Sequence, residues 1–189
     1  MSGGISPENF RDVGFALTLW MEPPPLPLKR LFRGGKLDAL TRASDIGDPR
    51  TVLNLRRGPD PKHLPEVQWA HVPAANDLEN YDTSQKAVRV WLASVLGMLS
   101  DPSTAWPVYV HCTSGRDRTG IVVAAALLCL GVSREVIVGE YMLSDGAVQA
   151  NIETALDGLS TGFAGLGVDA ARLRRALLGR DDHTQGRLR

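Results

Sequence analysis

Val108-Tyr109-Val110-His111-Cys112-Thr113-Ser114-Gly115-Arg116-Asp117-Arg118-Thr119-Gly120 is the stretch from which the fold can be worked out. An apolar run ends in His-Cys, a short polar loop holds Gly115, and Arg118 follows Cys112 by six positions. The segment from Ile121 to Leu128 then begins an apolar run that reads as a buried helix. Strand, loop, helix is a context in which a loop wraps an anion. Successive backbone N–H groups form a concave nest, and the helix adds its positive N-terminal end. Arg118 offers a planar fork able to hold two oxygens of a phosphate at once. Cys112 stands at the base of this ring. A thiol beside a helix N-terminus and a guanidinium is expected to titrate in the range of about 3.5–7.5, and so to be a nucleophilic thiolate at neutral pH.

Two rival readings of the loop fail. Gly115 and Gly120 have the glycine spacing of a nucleotide-binding loop, but Ile121-Val122 stands where Lys and Ser or Thr are required. Trp106-Pro107-Val108 looks like a Trp-Pro-Asp acid loop, yet it lacks the Asp and runs straight into the Cys strand. The plain alternative for Cys112 is a small buried core residue. Gly115, Arg118 and Thr119 converge on one chemistry and favour the nucleophile.

The pattern His-Cys, five residues, Arg-Thr-Gly resembles the signature loop of the cysteine-dependent phosphatases, the protein tyrosine and dual-specificity superfamily. Its Gly-Arg-Asp-Arg-Thr-Gly form is most similar to the bacterial branch whose loop reads Gly-Lys-Asp-Arg-Thr-Gly. Asn9-Phe10-Arg11-Asp12-Val13-Gly14 resembles that branch's N-terminal Asn-Phe-Arg-Asp-Leu-Gly-Gly, with Phe15 in place of the second Gly. Leu31-Phe32-Arg33-Gly34-Gly35 and Val52-Leu53-Asn54-Leu55-Arg56 resemble its Phe-Arg-Ser and Val-Ile-Asp-Leu-Arg blocks, with Asn54 where Asp is usual. The resemblance runs from about residue 5 to about residue 145. It implies an α/β domain with four or five mostly parallel strands flanked by helices. It implies hydrolysis of a phosphomonoester through a cysteinyl-phosphate, without a cofactor. The implied substrate is a phosphorylated protein; a phosphoinositide or inositol phosphate is the alternative, which Arg116 in place of Lys would suit. A non-catalytic phospho-ligand binding module is disfavoured, because Cys112 and Arg118 are both kept.

Length and composition set wider bounds. The chain has 189 residues, enough for one domain, expected over residues 1–180 with a tail at 181–189. The formal net charge is +0, so no general attraction to nucleic acid or anionic membrane is implied. Arg outnumbers Lys, and Ala, Gly and Leu are abundant, a composition associated with bacterial proteins. The longest apolar run, residues 121–132, falls short of the ~20 residues of a membrane span. Residues 15–21 are too short for a signal core and are followed by prolines. The expected location is the cytoplasm, with secretion by a specialised system left open. Cys129 lies roughly 15 Å along the helix from the loop at ~1.5 Å per residue, too far for a disulfide to Cys112, and is expected in the core. The four His residues are scattered without ligand spacing, so no metal is expected.

In chain order, residues 22–27 form a proline-rich connector and residues 28–32 alternate like a half-exposed strand, ended by Gly34-Gly35. Residues 37–46 suit a short helix. Residues 51–55 and 67–72 suit strands. Asp82-Thr83-Ser84 opens an amphipathic helix with Val88, Trp91, Leu92, Val95, Leu96 and Leu99 on one face. Residues 107–111 are the strand that delivers Cys112. Further helices are expected from Ser133 to about 142, over 151–159 and from 168 or 169 to 178, with Gly179 after the last.

A leaving oxygen needs a general acid. Asp77 is preferred: it lies in Ala74-Ala75-Asn76-Asp77 after the third strand, 35 residues ahead of Cys112. Dual-specificity phosphatases take their acid from such a loop. Asp117, inside the signature loop, is second, as the bacterial branch implies. Asp82 is third, with helix capping as its plain reading. The backbone of Thr113, Ser114, Gly115, Arg116, Asp117 and Arg118 is expected to bind the phosphate. The Thr119 hydroxyl is expected to donate to the Cys112 thiolate or to cap the helix. His111 is expected to orient the loop. Arg11, Arg33 and Arg56 are expected in structural ion pairs.

Overall fold

The computed structural model describes residues 6–39, 42–61, 64–74, 80–160 and 163–180. Among these, five strands form one sheet in the order β1-β2-β5-β3-β4. They are β1 (Arg11–Asp12), β2 (Leu31–Gly34), β3 (Thr51–Asn54), β4 (Gln68–His71) and β5 (Val108–His111). β5 lies at the centre, parallel to β2 and β3; β4 is parallel to β3, and β1 is antiparallel to β2. The register sets Gly34, His111 and Asn54 side by side, so all three central strands end at one edge. Open parallel sheets place their sites at that edge.

β2, β3 and β5 are buried along their whole length, as covered parallel strands are. Alternation sorts their side chains onto two faces. Leu31, Leu53, Val108 and Val110 point to the face covered by the helices. Phe32, Val52 and Tyr109 point to the other, where Leu37 and Ile46 cover them. The helices are α1 (Val13–Leu17), α2 (Lys86–Ser100), α3 (Asp117–Cys129), α4 (Arg134–Met142), α5 (Gln149–Leu159) and α6 (Ala170–Leu178). α3 is apolar nearly all round because it is the central helix, touching α2, α4, α5 and α6. α2 buries the six apolar residues expected of it. The Asp169 side chain caps α6 by accepting from the Arg172 N–H at 3.0 Å, and Gly179 ends it at φ +67.

Several boundaries differ from the sequence reading. The described residues of 37–46 hold a turn and a four-residue 3-10 helix, Ala43–Ile46, and no α-helix. Among the described residues there, Leu37 and Ile46 are buried, and Gly47 ends the turn at φ +85. The strand expected over 28–32 starts three residues later. Lys29 has φ +55 and its N–H donates to Asp12 Oδ2 at 2.7 Å, which turns the chain before β2. α2 starts after Gln85 and not at Asp82, because Asp82 closes its own turn with Ser84 and Gln85. α3 starts inside the polar loop, at Asp117. β1 and α1 are too short to leave a periodic signal. Trp106 lies at the amino end of β5, away from Cys112, with Arg30 stacked over its ring at 4.3 Å. No helix among the described residues is long and apolar enough to cross a membrane.

Candidate active site

Cys112 leaves β5 at the carboxyl edge and is 2% exposed. The chain then loops through Thr113 to Arg116 and enters α3 at Asp117. Gly115 has φ +72, and a Cβ there would collide with the carbonyl of Gly34 and the N of Gly35. Only glycine fits, since this backbone region and this close approach both exclude a side chain.

The scaffold grips the loop by its carbonyl oxygens. The Lys36 N–H donates to the Thr113 carbonyl at 3.0 Å, and Asn9 Nδ2 donates to that of Ser114 at 2.8 Å. Arg33 Nη2 donates to the Gly115 carbonyl at 2.8 Å and to that of Arg116 at 3.3 Å. Four successive carbonyls are thus engaged from behind. A trans peptide sets the next residue's N–H on the opposite side from its carbonyl. The N–H groups of Ser114, Gly115, Arg116 and Asp117 therefore turn toward the inside of the loop. Arg116 N–H makes a long 3.4 Å contact to Ser114 Oγ; those of Ser114, Gly115 and Asp117 have no partner among the described residues. This is the nest that the glycine and loop length call for.

Arg33 is fully buried, and burial pulls its guanidinium below its ordinary value while Glu140 opposes that. Its Nη1 donates to Glu140 Oε2 at 2.6 Å, and Arg11 Nε donates to Glu140 Oε1 at 2.8 Å. Asn9 Oδ1 accepts from the Asp145 N–H at 2.7 Å. The Asn-Phe-Arg-Asp block thereby ties β1 to the loop and to the turn after α4. Arg11, Arg33 and Arg56 are all ion-paired, as expected; Arg56 faces Asp38 and Asp60.

Arg118 reaches across the loop. Its Nη1 donates to the Leu55 carbonyl at 3.1 Å and its Nη2 to Thr113 Oγ1 at 3.4 Å. His111 is fully buried, stacked on Tyr109 at 5.6 Å. Its Nε2 lies 3.0 Å from Asp60 Oδ2 and its Nδ1 3.3 Å from the Cys112 carbonyl. The imidazole therefore links β5 and the start of the loop to the turn after β3. Thr119 is fully buried inside the first turn of α3; its hydroxyl has no hydrogen-bond partner among the described residues. It is not the cap, because Arg116 holds that position.

The Asp117 carboxylate takes Arg116 Nε at 2.9 Å on Oδ1 and Arg116 Nη2 at 3.2 Å on Oδ2. The Tyr81 hydroxyl donates to Oδ1 at 2.5 Å. Asp82 is exposed, and hydrogen bonds from Ser84 and Gln85 hold its carboxyl below the ordinary value, so capping a turn is its role. Asp77 lies outside the described residues. Cys129 is in the core, its Sγ directed at the Ala170 carbonyl at 3.3 Å. Among the described residues no three His, Cys, Asp or Glu side chains gather as a metal site. Sequence reasoning missed Asp60, Tyr81, Glu140 and Tyr141. Each comes from a distant segment with no motif of its own.

A 42-residue segment is 50% identical to the triple specificity protein phosphatase PtpB of Mycobacterium tuberculosis, spanning 22% of this chain and 15% of that protein. The core catalytic domain of the PP-IP phosphatase SIW14 from S. cerevisiae superposes with a TM-score of 0.51 at 17% identity, over 87% of this chain and 96% of that one. DUSP15 gives 0.50 at 17% identity, over 82% and 94%. These two structural likenesses are of fold. The model of the tyrosine phosphatase family matches residues 5–177, from ahead of the N-terminal block that braces the loop to the last helix. By that match, the chain belongs to the tyrosine phosphatase family.

Proposed function

We propose that the protein is a phosphomonoester phosphatase that works through a cysteinyl-phosphate. Cys112 Sγ attacks phosphorus. The inward N–H groups of the loop and the Arg118 fork hold the equatorial oxygens and stabilise the charge that develops on them. A carboxyl group protonates the leaving oxygen, then as base activates the water that cleaves the thiophosphate. Of the three aspartates expected in that role, Asp82 is exposed and closes a turn, Asp77 lies outside the described residues, and Asp117 is fixed in the signature loop by Arg116 and Tyr81. The reading assigns it the acid and base steps, with Asp77 as the alternative. The buried Thr119 hydroxyl is proposed to donate to the departing Cys112 sulfur, and His111 with Asp60 to hold the start of the loop.

The observation that carries this reading is the bracing of four consecutive loop carbonyls, which leaves an inward ring of N–H groups above a cysteine and beside Arg118. A pure binding module has no need of a thiol there. The substrate is proposed to be a phosphorylated protein of the tyrosine or dual-specificity kind. A multiply phosphorylated inositol ligand is less favoured than the sequence suggested, because the Arg116 guanidinium pairs with Asp117. The short match to PtpB supports placing the chain in the bacterial branch.

The test is turnover of p-nitrophenyl phosphate and of a phosphotyrosine peptide. Cys112→Ser is expected to abolish both while still binding the peptide. Arg118→Lys is expected to be severely impaired, because a point charge does not reproduce a bidentate fork. Substantial turnover by Cys112→Ser would overturn the mechanism.

A further inference from the structure

A group that is acid in one half-reaction and base in the next exists in two protonation states within a single turnover. A donor-only neighbour suits the carboxylate and fits the carboxylic acid poorly. Arg116 is such a neighbour, since a guanidinium has no acceptor. Tyr81 is different. Its hydroxyl lies 2.5 Å from Asp117 Oδ1 and 2.5 Å from the Tyr141 hydroxyl, and either phenol can be the donor in the second contact.

That chain of three oxygens can be ordered in two directions. With Asp117 ionised, Tyr141 donates to Tyr81 and Tyr81 donates to Oδ1. With Oδ1 protonated, the carboxylic acid donates to Tyr81 and Tyr81 donates to Tyr141. Only hydroxyl protons rotate. We propose that Tyr81 and Tyr141 are positioning residues, a reversible hydroxyl chain that holds Asp117 in one place in both of its protonation states. The proposal rests on the assignment of Asp117 as acid and base.

The proton count closes. In the first step the Asp117 O–H swings from Tyr81 to the leaving oxygen and breaks, its proton passing to that oxygen as the S–P bond forms and the P–O bond breaks; the Tyr81 hydroxyl then turns to donate to Oδ1, with Tyr141 donating to Tyr81. In the second step water gives a proton to Asp117 as its oxygen attacks phosphorus and the S–P bond breaks; the chain turns back. Neither phenol gives up its proton. Burial first, and the Asp117 hydrogen bond second, push the Tyr81 phenol above its ordinary value.

The packing fixes the two hydroxyls. Tyr141 on α4 is buried, and its ring lies against Gly120 of α3 so closely that a Cβ there would come within 2.7 Å. The Tyr81 ring, just ahead of α2, meets it edge-on at 6.3 Å between centroids. Among the described residues, the titratable and charged groups that touch Asp117 are Arg116 from the loop, Tyr81 and, through Tyr81, Tyr141.

The two phenols differ in what their loss removes, and this makes the test specific. Tyr141→Phe leaves Tyr81 able to donate to the carboxylate but removes the acceptor needed when Asp117 is protonated. Tyr81→Phe removes the contact in both states. The measurement is kcat and the pH profile of kcat/KM for phenyl phosphate and for p-nitrophenyl phosphate, with stopped-flow burst rates to separate the two steps. Tyr141→Phe is expected to move the alkaline limb to lower pH and to slow phenyl phosphate about tenfold, the scale of one lost hydrogen bond, with the second step unchanged. Tyr81→Phe is expected to slow both steps. Equal losses on both esters with an unmoved pH profile, in variants that melt like the parent, would overturn the proposal. Asp117→Asn is run beside them. If it keeps full activity on phenyl phosphate, the assignment of Asp117 has failed and the chain falls with it. If Asp117→Asn fails on phenyl phosphate but the tyrosine variants do not move the profile, only the chain has failed.

Discussion

Arg33 is a charged side chain with no exposure, placed where its guanidinium meets Glu140 and two loop carbonyls. Removing one partner of a buried pair leaves an uncompensated charge, which costs about 3–5 kcal/mol. Glu140→Ala is therefore expected to lose about that much in urea unfolding, since it strips the partner from both Arg33 and Arg11. A loss below about 1 kcal/mol would mean that the pair does not brace the loop. The acid is also decided at this scale. Asp117→Asn is expected to lower kcat by roughly 10²–10⁴ on an alkyl or tyrosyl phosphate and far less on an activated ester. If Asp77→Asn shows that pattern and Asp117→Asn does not, the acid is Asp77. Cys112, Arg118 and Gly115 were legible because loop chemistry fixes their spacing within one short stretch. Asp60, Glu140, Tyr81 and Tyr141 were not, because each is a partner supplied by another element, and folding alone sets its distance from the loop.

The elements that could be read from sequence were those with a long apolar period. α2 declared itself through the spacing of its buried residues, α3 through its unbroken apolar run, and β5 through its apolar run into His-Cys. Two short elements stayed hidden. β1 has two residues and α1 five, too few for any period. Residues 37–46 misled because helix-compatible composition does not reveal that the chain turns at 38–39 and winds only a 3-10 turn over Ala43–Ile46. α3 also sets a prediction for its second cysteine. Burial pushes the Cys129 thiol up, with Arg174 opposing weakly. A raised pKa leaves less thiolate at any given pH, so alkylation of Cys129 by iodoacetamide near pH 8 should be slower than that of an unfolded thiol. Both cysteines are free in the fold, and peroxide treatment should yield no Cys112–Cys129 disulfide. Finding that disulfide by mass spectrometry would contradict the placement of Cys129 in the core.

At the scale of the whole molecule, a chain of net charge +0 gathers its affinity for phosphate at one edge of the sheet. β2, β3 and β5 end together there, and the loop, its braces and Arg118 all meet at that edge. An anion that fills the nest binds only the folded chain and must stabilise it, by about 2.7 kcal/mol at one hundred times its Kd. Orthovanadate is accordingly expected to raise the melting temperature of the parent and to leave Arg118→Ala little changed. The fold class was legible from the alternation of strands and helices and from the family resemblance. The uneven covering of the sheet, helices on one face and short segments on the other, was not, because sequence periodicity does not tell which face a helix will cover. The central claim is that Cys112 carries the phosphoryl group during turnover. Its most direct test is a rapid acid quench with phosphotyrosine peptide, followed by mass spectrometry of the peptide containing Cys112. The account predicts a phosphoryl adduct on Cys112 that forms within the burst and is absent from Cys112→Ser; steady turnover with no adduct on Cys112 would contradict it.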